Sequence, residues 1–329
     1  MKKQIIERIL DGNIPTMGES LMMMNPGFMP LTELIHTANA ITKQHHGKHL
    51  KMCAIHAVKI GRCSGDCAFC AQSAHHKCDI NIVEIGDVCS DEIVTHAMDL
   101  QKHGVARFSL VTSGERLSDS EFERILQIYR RLHDETGIGL CASLGGLDEK
   151  RAQALVACGV TRYHHNIETA CSFFQNICST HSYADKLETI RIARTAGMEV
   201  CCGGIISMGE TPEQRIEMAY ALRELDVDAV PINILNPIPG TRLEQQPLLS
   251  IDEILRTIAL FRLIMPHKTL CFAGGRQNAM GNEEYSGYEA GINALIIGDF
   301  LTTHGKDLKE ELSKLLALGH IKSYQEVLS

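Results

Sequence analysis

Cys63, Cys67 and Cys70 stand in the run Arg62-Cys63-Ser64-Gly65-Asp66-Cys67-Ala68-Phe69-Cys70. Three thiols at successive offsets of four and three residues can curl around one soft metal centre. Thiolates favour iron–sulfur clusters and zinc over hard cations. Three protein ligands rather than four would leave one iron of a cubane free to bind something else. The plainer alternative is a structural zinc site closed by His75 or His76, because zinc prefers complete Cys/His tetrahedra. Zinc ribbons usually pair two Cys-x-x-Cys knuckles, and no second knuckle is present. The spacing therefore favours an iron–sulfur cluster.

The elements that must hold this loop can be read from periodicity. β-branched runs near 50–58, 106–112, 137–143, 161–167, 199–206, 229–235, 268–273 and 294–298 read as strands, with amphipathic stretches between them. Ser118 with Glu121 makes a capping box, Thr211-Pro212 with Gln214 opens another helix, and Ser250 opens a third that Pro266 stops. Gly159 and Gly197 stand where helix C-terminal caps belong. Eight strands alternating with helices predict an α/β fold, a (β/α)8 TIM-type barrel, with an open doubly wound sheet as the alternative. The expected organisation is one domain over 1–329: N-terminal helices in 1–49 covering the bottom or side, the barrel in 50–304, and a closing helix in 305–329. Leu308, Leu312, Leu315 and Leu316 would pack that last helix inward. Barrel active sites lie at the C-terminal ends of the strands, and the Cys63 loop directly follows the first one.

Composition narrows the function classes. The chain has 329 residues, is 44% hydrophobic and carries a net charge of -8. That supports a large core and gives no support to nucleic-acid binding. No apolar run is long enough to span a bilayer, and residues 1–11 lack the pattern of a secretory signal. Thirteen cysteines without such a signal point to the reducing cytoplasm and to metal chemistry rather than disulfides.

Cys-x3-Cys-x2-Cys with Phe69 before the last cysteine resembles the radical S-adenosylmethionine enzymes. Further segments are similar to the biotin synthase family within them: Cys70-Ala71-Gln72-Ser73, the stretch from Tyr163 to Thr169, Val200-Cys201-Cys202-Gly203-Gly204-Ile205, Gly209-Glu210-Thr211, Pro231-Ile232-Asn233, Pro239-Gly240-Thr241 and Ala273-Gly274-Gly275-Arg276. The resemblance implies a 4Fe-4S cluster on Cys63, Cys67 and Cys70 whose open iron chelates S-adenosylmethionine. It also implies a 5′-deoxyadenosyl radical that abstracts hydrogen, and sulfur insertion into dethiobiotin to give biotin. Phe69, Ser113, Gly114, Glu115, Asn166, Glu168, Gly203 and Gly204 would bind S-adenosylmethionine, and Asn166 and Asn233 the substrate. Asn166 and Glu168, two apart on a strand, would share a face, whereas His164 and His165 would point oppositely. Each assignment has a plain structural counterpart: Ser113-Gly114-Glu115 as an ordinary turn, Asn166 and Glu168 as rim residues, Asn233 as a satisfied core amide, and Gly203-Gly204 as a close packing point. An electron donor such as flavodoxin or ferredoxin, a homodimer and a cytoplasmic location are also implied. Related radical enzymes, of the hydrogenase-maturation or methylornithine-forming type, are the alternative; a zinc-binding protein without catalysis is a third reading.

The family's sulfur donor is an auxiliary iron–sulfur cluster deep in the barrel, usually held by three cysteines and an arginine. Cys141 and Cys201 match two of those cysteines and Arg276 the arginine, but Ser109 stands where the first cysteine belongs. Cys53 and Cys271 are additional. Placed on strands one, three, five and seven, Cys53, Cys141, Cys201 and Cys271 fall in one layer of four inside such a barrel, with Cys202 facing the other way. The plainer alternative for the two extra cysteines is that they fill core space. Cys78, Cys89, Cys158, Cys171 and Cys178 read as incidental or small buried residues.

Overall fold

A computed structural model describes residues 1–302 and 305–321. Nine strands form one parallel sheet: β1 (Lys51–Lys59), β2 (Arg107–Thr112), β3 (Gly139–Ser143), β4 (Val160–His164), β5 (Glu199–Cys201), β6 (Gly204–Ile206), β7 (Ala229–Ile234), β8 (Thr269–Phe272) and β9 (Ala294–Ile297). Their order is β5-β4-β3-β2-β1-β9-β8-β7-β6, and a further pairing of β5 with β7 closes the sheet on itself. Closure removes the doubly wound alternative, since an open sheet keeps two edges.

β5 and β6 are two halves of the fifth barrel position. Register runs through the gap, from Cys201 opposite Ala229 to Gly204 opposite Ile232. Gly203 therefore faces Pro231, which has no N–H to donate. A Cβ on Gly203 would lie 2.0 Å from the Pro231 carbonyl oxygen, and one on Gly204 would lie 2.4 Å from that of Glu168. The expected strand 199–206 is interrupted because two protein backbones press on it there. These glycines serve close packing within the protein.

The expected fourth strand, 161–167, stops at His164. The chain still follows its neighbour, with His165 N–H donating to Cys201 O at 3.0 Å, but Glu168 takes φ +68 and alternation ends. The three boxes at Ser118, Thr211 and Ser250 form, each hydroxyl accepting from the backbone N–H three residues on. Amphipathic helices such as Asp119–Glu135 bury Phe122, Ile125, Leu126, Tyr129 and Leu132 against the sheet.

The N-terminal helices Lys2–Leu10, Met17–Met24 and Leu31–His46 cover the barrel's side. Buried Arg256, on the helix Ile251–Ile264, donates to the carbonyls of Met23 and Met29 at 2.8 Å each. Tyr220, on the helix Pro212–Glu224, meets Ser20 at 3.0 Å. At the other end, the helix Leu308–Ala317 buries Leu312 and Leu315, whereas Leu316 is 38% exposed and does not pack inward. Of the expected closing segment, residues 322–329 lie outside the described residues. No described helix is long and apolar enough to cross a membrane.

Candidate active site

One cavity of about 430 Å³ runs through the barrel, and it gathers both sets of cysteines. Cys63, Cys67 and Cys70 reach it from the loop after β1, and Cys53, Cys141, Cys201 and Cys271 from inside the sheet. The volume is in the range of small-molecule and cofactor sites.

The loop is folded tightly by its own backbone. Cys63 N–H donates to Gln72 O at 2.9 Å, Ala74 N–H to Cys63 O at 2.8 Å, and Cys70 N–H to Cys67 O at 3.0 Å. Ser73 Oγ donates to Gly65 O at 2.6 Å. Asp66 does not face the cavity as a ligand. It ties the loop to 179–180, accepting from Ser179 N–H at 2.8 Å, Ser179 Oγ at 2.6 Å, and the Thr180 N–H and Oγ1 at 3.1 Å each. His75 is bonded to Ser64 O at 3.0 Å and His76 to Cys70 O at 2.9 Å, and neither ring lines the cavity that the three thiols share. Three thiols converge with no fourth protein ligand from these histidines.

Phe69, Ser113, Gly114, Asn166 and Glu168 line the same cavity. Ser113 Oγ is occupied, donating to Gly61 O at 2.6 Å. Glu115 does not line the cavity; its carboxylate lies 3.9 Å from His181 at the surface. Gly203 and Gly204 do not line it either, for the packing reason above. Asn166 accepts from Gly203 N–H at 3.0 Å and donates to Glu168 at 3.3 Å. Burial raises the Glu168 carboxyl above its ordinary range, against the pull of Lys186, whose Nζ lies 3.9 Å away. Lys186 is a cavity residue that sequence reasoning missed; a lysine in an amphipathic helix gives no signal of facing inward. Thr112 also lines the cavity, while its hydroxyl is buried and without a hydrogen-bond partner. His164 and His165 both line the cavity, which corrects the expectation that they diverge; strand alternation has ended there.

Asn233, on β7, donates to Gly204 O at 3.2 Å and accepts from Gly274 N–H at 3.0 Å. Its amide thus ties two neighbouring backbones while the residue still lines the cavity. Each amide atom retains one unused donor or acceptor position toward the interior.

The inner layer is built as strand parity requires. Cys53 on β1, Cys141 on β3, Cys201 on β5 and Cys271 on β8 occupy barrel positions one, three, five and seven. Small residues, Ala229, Thr269 and Ala294, line the space between. Burial and then Cys141 push the Cys53 thiol up to about 11. Burial, then Cys53 and Cys201, push Cys271 well above its ordinary value. Neutral thiols are what such a pocket holds without a cation, and the two arginines present work the other way: Arg107 and Arg162 both pull Cys141 down. Glu199 holds this pair, at 2.8 Å from each. Cys202 is buried and outside the cavity, as parity predicts.

Arg276 does not line the cavity, although it stays near enough to pull the Cys271 thiol down against burial and its neighbouring thiols. Its guanidinium is buried between two carboxylates, with Nε to Glu284 at 3.0 Å and Nη2 to Glu311 at 2.8 Å, and its Nη1 donates to Ala273 O at 3.1 Å. Two buried carboxylates claim the charge and fix the closing helix to the barrel. The arginines that line the cavity beside the thiols are Arg107 and Arg162, whose signal was a charged residue at an inward-facing strand position. Ser109 lines the cavity between them and its hydroxyl turns to Leu110 O at 3.4 Å.

Residues 58–223 match the Radical SAM superfamily, and residues 231–321 match the Biotin and Thiamin Synthesis associated domain. Both matched segments contribute strands to the one closed sheet. The biotin synthase of Carboxydothermus hydrogenoformans is 45% identical over 317 residues, covering 96% of this chain and 97% of that protein. The biotin synthase of Acetivibrio thermocellus is 45% identical over 315 residues, covering 96% and 98%. Among solved structures, a methylornithine synthase matches with a TM-score of 0.82 at 17% identity, over 98% of this chain and 99% of that one. The FeFe-hydrogenase maturase of Carboxydothermus hydrogenoformans matches with a TM-score of 0.78 at 15% identity, over 98% and 80%. At those identities the two structures speak to the fold alone.

Proposed function

The chain belongs to the biotin synthase family of radical S-adenosylmethionine enzymes, and from that premise we infer how its cavity inserts sulfur into dethiobiotin to make biotin. The observation that carries the reading is the single cavity shared by three loop thiols and four inner thiols. Seven soft donors in two groups suit two iron–sulfur centres and not a single ion.

Cys63, Cys67 and Cys70 would hold the 4Fe-4S cluster, and Cys53, Cys141, Cys201 and Cys271 the auxiliary one. When bound, the first supplies the electron that cleaves S-adenosylmethionine, and the second supplies the sulfur atom. The protein's own work is binding, orientation and exclusion of water. Phe69 offers a ring face for adenine. Glu168 and Asn166 suit the ribose hydroxyls, and Lys186 brings a cation to the same wall for a carboxylate. Asn166 and Asn233 present amide donors and acceptors that suit the cyclic urea of dethiobiotin. Arg107 and Arg162 balance the negative charge of inner thiolates, with Arg276 acting on Cys271 from outside the cavity lining. Two carbon–hydrogen bonds are replaced by two carbon–sulfur bonds, so two molecules of S-adenosylmethionine are consumed per biotin.

The electrons must come from outside the chain, and a flavodoxin or ferredoxin fits a one-electron requirement. A cytoplasmic setting follows from the cysteine chemistry, and a homodimer follows from the family resemblance. Anaerobic turnover with dethiobiotin tests the whole reading. Biotin and 5′-deoxyadenosine should appear together and only with dethiobiotin present; 5′-deoxyadenosine without biotin would count against it.

A further inference from the structure

Cys178 is a buried thiol that the chemistry above does not use. It caps the helix Cys171–Ile177, is 3% exposed, and lies outside the cavity lining. Its sulfur is 3.8 Å from Cys67 Sγ. The His181 ring presents Nδ1 to the same sulfur at 3.4 Å and Nε2 at 3.6 Å. One ligand atom from each of Cys67, Cys178 and His181 falls within 4.8 Å of the others.

These separations have a chemical meaning. A tetrahedral ion with zinc–sulfur bonds of ~2.3 Å and zinc–nitrogen bonds of ~2.0–2.1 Å has an S···S edge of about 3.8 Å and S···N edges of about 3.6 Å. The surroundings match such an ion too. Metal-bound histidines usually donate their other ring N–H to an oxygen that fixes the ring. Here Nδ1 has Thr180 Oγ1 at 3.3 Å and the Glu115 carboxylate at 3.9 Å, which leaves Nε2 for a metal. Phe174 packs edge-on against the same ring. Asp66 Oδ1, 3.2 Å from Cys178 Sγ, adds negative charge beside a cation and keeps its Ser179 and Thr180 donors when the thiol proton leaves.

We propose that, in the cluster-free protein, Cys67, Cys178 and His181 form a site for one thiophilic divalent cation of the zinc or iron(II) class. Binding releases the two thiol protons, forms two metal–sulfur bonds and one metal–nitrogen bond, and leaves a fourth position for water. No electron is transferred. Cys67 is shared with the proposed 4Fe-4S site, so the ion and the cluster exclude each other, and zinc held here blocks cluster assembly.

The test uses full-length protein stripped anaerobically of iron and sulfide, titrated with Co2+ as the probe. Wild type should show the intense visible bands of a tetrahedral ion and the near-ultraviolet charge transfer of cobalt–thiolate bonds. Cys178→Ser and His181→Gln should each lose one bound Co2+ per chain, or bind it at least about tenfold more weakly. Cys63→Ser and Cys70→Ser should keep it. Zn2+ added first should slow reconstitution with iron and sulfide in wild type and not in Cys178→Ser. Far-ultraviolet circular dichroism checks that each variant is folded. A folded Cys178→Ser that binds Co2+ as wild type does, or loss of the site in Cys63→Ser or Cys70→Ser, would overturn the proposal. The cluster reading is judged separately: Cys178→Ser should still take up wild-type iron and sulfide, whereas Cys67→Ala should not.

Discussion

Cys63, Cys67 and Cys70 are three donors to one proposed cluster, and they are the loop thiols that line the cavity. His75 and His76 lie outside that cavity. Replacing any of the three cysteines by alanine should therefore abolish cleavage of S-adenosylmethionine while leaving the inner thiols free to bind iron. Measured 5′-deoxyadenosine should drop to background, and a wild-type rate in any one variant would remove that residue from the ligand set. Asn233 behaves differently, because its amide both faces the cavity and bonds two backbones. Leaving buried hydrogen-bonding groups unpaired costs about 1–3 kcal/mol each. Asn233→Leu should weaken dethiobiotin binding roughly tenfold or more by calorimetry, since ~1.4 kcal/mol is a factor of ten. It should also lower stability, and leave the iron on the three loop cysteines unchanged. Unaltered dethiobiotin affinity would take Asn233 out of the substrate site.

At the scale of elements, the fifth barrel position is the tightest piece of construction. A methyl group on Gly203 would meet the Pro231 carbonyl at 2.0 Å, a distance that only backbone movement can relieve. Overpacking of this kind typically costs about 1–3 kcal/mol. Gly203→Ala should lower the denaturant midpoint by that order and disturb Cys201, its near neighbour; an unchanged midpoint would mean that the break in the strand is slack. Much of this layer was legible beforehand. The capping boxes at Ser118, Thr211 and Ser250 are local, with both partners within three residues, and all three form. The layer of Cys53, Cys141, Cys201 and Cys271 followed from strand order and parity alone, which a closed barrel makes rigid. What stayed hidden depended on long-range partners. Arg276 is turned outward by Glu284 and Glu311, the latter 35 residues away, and no local pattern announces such a pairing. Lys186 enters the cavity by the same kind of tertiary placement. The divergence expected of His164 and His165 failed where the strand ended early and Glu168 took a left-handed conformation.

The whole molecule is a barrel whose outer helices are pinned by buried cations, and this shapes its response to acid. His46 sits half-buried with Nε2 3.0 Å from Arg262 Nη1; burial first, and then Arg262, lower it from 6.5 to about 4. His56, packed beside His96, is also lowered to about 4, by burial and then by that neighbour. A histidine depressed on folding binds its proton more readily in the unfolded chain. The stability these rings contribute is complete above pH 6.5 and is lost as the pH falls from 6.5 toward about 4. Thermal midpoints should decline across that window, and the decline should be shallower in His46→Gln. An equal slope in that variant would mean that other groups govern acid unfolding.

The central claim is that the four thiols inside the barrel hold the sulfur that enters the product. It is tested most directly by rebuilding the iron–sulfur centres with isotopically labelled sulfide, removing free sulfide, and running a single anaerobic turnover with dethiobiotin in wild type and in Cys271→Ser. The expected result is labelled biotin from wild type, with two molecules of 5′-deoxyadenosine for each biotin. Cys271→Ser should still cleave S-adenosylmethionine but form little or no biotin. Unlabelled biotin from wild type, or labelled biotin at the wild-type yield from Cys271→Ser, would contradict it.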